Sequence, residues 1–177
     1  LFDISLGKQF YTNNVINLYA FFGFKYEREY FKVYDGFYYY NADPKRYFDG
    51  LVLTYKHELY MPYIKSKIVY KLKNIDLSAT FSYSFLAKFY DYDTHHLRDI
   101  QFDSDLDPTT YYGLKLSSKF KLKKSLFFLL EYENNRYSQT YGTTKKTDLK
   151  TNSSITYDGA GFSKEYQSLN FHILSTF

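Results

Sequence analysis

The 177-residue chain has no cysteine, no tryptophan, one methionine and only three prolines. Without thiols, no disulfide framework can staple it. No stretch approaches the roughly 18 consecutive apolar residues of a spanning helix, which excludes a helical membrane protein. It opens on Leu1 and carries no signal peptide, so the start is expected to be a mature end or a truncation. No internal repeat, linker or break in composition divides it, and one domain over 1–177 is expected.

What fills the chain is aromatic. Tyr 23 and Phe 18 bring the aromatic share to 23%, yet mean hydropathy is -0.48. Rings interleaved with Lys, Ser and Asn suit a transmembrane β-barrel, which needs aromatic girdles, apolar outward positions and polar inward ones. The competing expectation is a soluble Tyr-rich β-sandwich. A net charge of +4 and a pI near 8.9 are compatible with an anionic lipid surface. Basic runs with rings would also suit nucleic acid; the strand pattern argues against that partner.

Period-two alternation dominates. From Ile75 to Phe89, Ile75, Leu77, Ala79, Phe81, Tyr83, Phe85, Ala87 and Phe89 form one face. Asp76, Ser78, Thr80, Ser82, Ser84 and Lys88 form the other, and only Leu86 breaks it. Such a segment has a lipid face and a water face, and it is longer than the about 9–11 residues a tilted strand needs to cross a bilayer. Tyr112-Leu114-Leu116-Phe120, Leu126-Phe128-Leu130-Tyr132 and Ile16-Leu18-Ala20-Phe22-Phe24-Tyr26 repeat the pattern. Residues 50–71 read as one long strand, with a change of phase and a bulge expected at Pro62, which lacks a ladder donor.

Seven strands are expected, over 1–10, 15–34, 50–71, 75–92, 108–121, 125–137 and 159–177. Tight turns at 11–14, 73–74 and 122–124 alternate with long polar connections at 35–49, 91–109 and 137–158, the outer-membrane arrangement. Bacterial single-chain barrels close with even counts, and an open edge leaves backbone groups unpaired in lipid. The chain is therefore expected to be N-terminally incomplete, with Phe177 on the alternating Leu169-Phe171-Ile173 strand as its natural C-terminus.

Beyond the cleanest strand lies Asp91-Tyr92-Asp93-Thr94-His95-His96. An Asp and a His two residues apart on extended chain point the same way, so the Asp can orient the imidazole as a general base. Two other readings stay open: an ordinary solvated loop, and a metal site built on Asp-x-Asp-x-His.

The run Tyr55-Lys56, Met61-Pro62-Tyr63-Ile64, Thr80-Phe81, Tyr83-Ser84 and Asp91-x-Asp93-x-His95 resembles the omptin family of outer-membrane endopeptidases. Glu131, Asn135-Arg136 and Gly159-Ala160-Gly161 continue the likeness in order and spacing. The resemblance implies an all-β, ten-stranded antiparallel barrel, of which the first three strands would be missing, with a catalytic groove at its extracellular top. It implies that His95 deprotonates a water, that Asp93 orients His95, and that an opposing Asp pair lies upstream of Leu1. It further implies that Asp91 recognises a basic substrate residue and that Arg28 binds lipopolysaccharide, a possible activator. No metal or other cofactor is implied.

Glu58 stands where another arginine of the lipid-binding cluster would be, and His96 replaces a family aromatic. Plain alternation puts Asp91, Asp93 and His95 on the outward face, so a twist or bulge above the bilayer must re-aim them. The expected protein is a monomeric bacterial outer-membrane endopeptidase, cleaving polypeptides near basic residues on the extracellular side. The chain by itself is expected to be inactive. The alternative is a structural or adhesive barrel; a porin is disfavoured because inward Lys, Glu and Tyr should fill so narrow a lumen.

Overall fold

The computed structural model describes residues 1–38 and 45–175. Every regular element in it is a strand: β1 (Phe2–Thr12), β2 (Ile16–Tyr38), β3 (Arg46–Lys71), β4 (Ile75–His95), β5 (Ile100–Leu106), β6 (Thr109–Lys123), β7 (Leu126–Asp148) and β8 (Ser153–Ser175). All pairings are antiparallel.

The eight strands occupy seven positions in the sheet. β5 pairs with the upper part of β4 and of β7, and β6 with their lower parts. Together they form one returning strand interrupted at Asp107-Pro108. Pro108 has no N–H to give the ladder. The break is sealed by hydrogen bonds from the Asp107 amide to Tyr141 O (2.8 Å) and from Thr140 Oγ1 to Asp107 O (2.7 Å).

β5 corrects the expectation of a connection over 91–109. The 137–158 connection is likewise mostly strand, with its turn at Leu149–Asn152. β2 and β3 run into the expected 35–49 loop, whose residues 39–44 lie outside the described residues, as does Phe177. The physical reason is common to all three. Above the bilayer both faces of a strand meet water or polar side chains, so the period-two signal fades while the backbone ladder continues.

Lower down, the two faces separate as the alternation requires. Phe22, Phe24, Ile64, Ile68, Phe81, Leu114, Leu116, Phe171 and Ile173 are exposed on the outer wall, the apolar band of a membrane barrel. Inside, Lys65, Lys67, Lys115, Glu131, Glu133, Ser78 and Thr80 line a cavity of about 470 Å³. Lys115 reaches Glu131 at 2.8 Å and Glu133 at 3.1 Å. Above that cavity sits a plug of buried side chains: Leu59, Met61, Ala87, Phe89, Leu106, Tyr111 and Tyr137. Gly23 admits one part of this packing, because a Cβ there would lie 2.5 Å from the Tyr63 ring and 2.8 Å from Ile4 O.

The switch of phase lies in β4. The β3–β4 register runs from Tyr60↔Lys88 to Ile64↔Tyr83, four steps on β3 against five on β4. The β4–β6 register jumps from Ser84↔Tyr111 to Ala87↔Thr109, three steps against two. Both place one extra residue in β4 between Ser84 and Ala87. Ser84 Oγ accepts the Leu86 amide at 3.1 Å, and Leu86 is exposed. The bulge is thus level with Pro62, but β3 itself keeps its phase, with Tyr55, His57, Leu59, Met61, Tyr63, Lys65 and Lys67 all facing inward. That corrects the phase change expected in residues 50–71.

Candidate functional site

The extra residue in β4 decides which side chains meet at the top. Below it, even-numbered positions face inward (Ser78, Thr80, Ser82, Ser84); above it, odd-numbered ones do. Ala87 and Phe89 join the buried plug, and Asp91, Asp93 and His95 follow them to the interior, opposite His57, Tyr55 and Leu53 on β3. The re-aiming that plain alternation demanded is present.

Asp93 Oδ2 lies 2.9 Å from His95 Nε2, and the two side chains are 29% and 31% exposed, open enough to meet a solute. The other Asp93 oxygen is buried and has no hydrogen-bond partner. A carboxylate oxygen left so is costly unless another group satisfies it. The His95 ring stands edge-on to Phe102 of β5, with centroids 5.3 Å apart at 72°. β5, absent from the expected strands, therefore supplies a wall of the site.

Asp91 sits one step deeper, and its Oδ1 is bonded to His57 Nδ1. His57 is 3% exposed, packed against the touching rings of Phe89 and Phe162 at 5.1 and 5.0 Å, with Tyr55 at 6.3 Å. Burial first, then the charge of Asp91 and a hydrogen bond to it, push the Tyr55 hydroxyl well above the ordinary phenol range. Tyr55 thus stays neutral and can donate to Asp91 at any physiological pH.

His96 turns away from this group. Its Nε2 is 2.7 Å from Thr54 Oγ1, and its amide bonds Val52 O. It does not share a site with His95. Among the described residues no three acid or imidazole side chains converge as metal ligands would.

Arg28 is on the outer wall, about half exposed, with Nε 4.0 Å from Glu58 Oε1, its register partner. Glu58 also accepts from Tyr26 (3.0 Å) and pairs with Lys56 (3.4 Å). The structure brings Asp91, Asp93 and His95 together and leaves Arg28 on the opposite side of the barrel wall. His57 was not anticipated; the unbroken odd-numbered inward phase of β3 is the signal that locates it.

The omptin family model matches residues 1–174. A plasminogen activator of Yersinia pestis is 26% identical over 116 residues, covering 64% of this chain and 37% of that protein. The crystal structure of the outer-membrane protease OmpT from Escherichia coli aligns with a TM-score of 0.82 at 23% identity. That alignment covers 99% of this chain and 62% of OmpT. The chain therefore spans less than two thirds of either relative.

Proposed function

Because this chain belongs to the omptin family, we propose that the full-length protein is an outer-membrane endopeptidase that cleaves polypeptides near basic residues. The observation that carries the reading is the Asp93–His95 pair, 2.9 Å apart on the inward face above the buried plug. In this reading Asp93 holds the imidazole by Nε2, and the other ring nitrogen takes the proton of an attacking water. The water adds directly to the peptide carbonyl, and the proton passes to the leaving amine, with no acyl-enzyme.

An opposing pair of aspartates, on strands that would fill the open side of the sheet between β1 and β8, completes the site. The gap in the sheet supports an incomplete barrel. The 177 residues alone are then inactive. Asp91 receives the basic side chain, since a carboxylate at the bottom of a pocket pairs well with a guanidinium or ammonium. Lipopolysaccharide is the activator, with Arg28 offering it a half-exposed guanidinium and Glu58 competing for that charge. The active site faces the cell exterior, and the protein acts as a monomer.

The test is His95→Ala in the full-length protein, refolded with lipopolysaccharide and assayed on a peptide containing Arg-Arg. Loss of a general base removes about 10²–10⁴ of rate, so kcat should fall by that factor while the barrel still folds. Cleavage that is unchanged would reject the pair. A folded parent protein that cleaves no peptide at all would favour the structural or adhesive barrel instead.

A further inference from the structure

Asp91 does not stand alone in the floor of the groove, and the group that holds it can change charge. His57 Nδ1 bonds Asp91 Oδ1, and its ring stacks against Phe89 and Phe162, which touch each other at 4.2 Å, with interplanar angles of 30° and 28°. Those two rings come from β4 and β8, so the imidazole rests on an aromatic pair built by two separate strands. A neutral imidazole with its proton on Nδ1 and an imidazolium both donate to Asp91. The hydrogen bond therefore survives protonation, and only the net charge of the pair changes, from -1 to zero.

The other titratable and charged groups around His57 are identifiable from every packed element. Tyr55 lies on β3 and Asp93 on β4. Glu29 of β2 is the register neighbour of His57, and Lys164 of β8 holds it at 3.1 Å. Lys164 also lies 3.5 Å from Glu27, which Lys25 meets at 2.6 Å. Tyr137 of β7 closes the plug against Phe89. Glu27 and Glu29 are thus already matched by lysines, and Tyr55 stays neutral. Among the described groups, proton uptake by His57 is the direct way to cancel the charge of Asp91.

We propose that His57 is the specificity-determining partner of Asp91: it fixes the carboxylate toward the groove and, by binding a proton, withdraws the negative charge that a basic side chain would meet. Selectivity for a cationic residue is then gated by pH independently of the chemical step. This rests on the reading that Asp91 receives the basic side chain.

The experiment measures kcat/KM between pH 5 and 8 for two peptides, one with arginine before the cleaved bond and one with citrulline, its uncharged isostere. Ionisation of His95 affects both substrates and divides out of the ratio. For the parent protein the arginine-to-citrulline ratio should fall at least about tenfold from pH 8 to pH 5, since one unit of charge facing the substrate cation is worth a factor of that order. His57→Asn keeps an N–H donor without a titrating group, and its ratio should stay flat. A flat parent ratio, or an unchanged fall in the variant, overturns the proposal.

A second measurement needs no cleavage. In the full-length protein in micelles, argininamide should shift the His57 ring nitrogen resonances saturably, citrullinamide should not, and Asp91→Asn should abolish the response. If no peptide is cleaved while argininamide still moves His57, the protease reading fails and the pocket stands. If argininamide leaves His57 unmoved, the proposal fails whatever the protein cleaves.

Discussion

A carboxylate bonded to a buried imidazole is held rigidly, so a change at Asp91 tests charge with little change of shape. Asp91→Asn keeps the size and one acceptor oxygen but removes the charge. A charge-assisted hydrogen bond contributes about 1.5–3 kcal/mol, which corresponds to roughly 10–100-fold. The variant should lose that much of its preference for arginine over citrulline while its rate on the citrulline peptide stays within a few-fold. Unaltered selectivity would remove Asp91 from the pocket. A second residue-scale prediction concerns the turn above the site. Asp148 Oδ1 accepts the amides of Lys150 and Thr151, each at 2.9 Å, and the Thr151 amide is the main reason its carboxyl lies below the ordinary range. The sign follows directly: a depressed folded value adds stability that is complete above the unfolded value of about 3.9 and is lost as pH falls through the folded one. Hydrogen exchange of the Lys150 and Thr151 amides should therefore be protected near neutral pH. Corrected for intrinsic rates, that protection should fall below about pH 4, and a pH-independent protection would show that the carboxylate does not hold the turn.

Among the elements, β4 carries most of the consequence, because one residue in it decides whether the acids face the groove or the outside. Deleting Leu86 would remove the one surplus residue, so that Ser84, Ala87, Asp91, Asp93 and His95 all stay inward on an unbroken alternation, with the pairing to β3 and β6 kept on both sides. Full-length protein lacking Leu86 should therefore keep its cleavage within about tenfold of the parent, because the faces are unchanged. Ser84→Ala, which removes only the acceptor of the Leu86 amide, should cost about 1 kcal/mol in urea unfolding and keep its activity. Loss of cleavage in a deletion variant that still folds would show that Leu86 is not merely the surplus residue that re-phases the strand. This element also marks how far the sequence could be read. The lower strands were legible because lipid and lumen impose opposite chemistry on alternate residues. Leu86, the one apolar residue on the polar face of β4, was the visible trace of the bulge. β5 was not legible: Ile100–Leu106 is mixed in polarity, since it borders the groove on one side and solvent on the other. His57 was hidden for a different reason. Its partner became identifiable only once the register across the bulge was known, because a shift of one residue would have paired it with the outward face.

Across the whole molecule, the sheet curls far enough for opposite walls to touch, yet β1 and β8 do not pair among the described residues. Phe162 of β8 reaches His57 of β3, and Lys164 reaches Glu29 of β2, so the interior is packed across the gap by side chains alone. The two edge strands still present unpaired amides and carbonyls. In hydrocarbon each such group costs several kcal/mol, and outside it each is a template for pairing with another chain. Side-chain contacts across the lumen cannot satisfy those backbone groups. The 177-residue chain by itself should therefore fail to give a monodisperse monomer in detergent or lipid, associating through β1 and β8 instead. Size-exclusion chromatography with light scattering would read this directly, and a charged residue placed inward near the middle of β8, such as Tyr166→Lys, should reduce the association. A heat-modifiable, protease-resistant monomer of this chain would mean that the gap closes by direct pairing of β1 with β8. The narrower barrel so formed would leave no room for an opposing pair of aspartates, and the catalytic reading would fall with it.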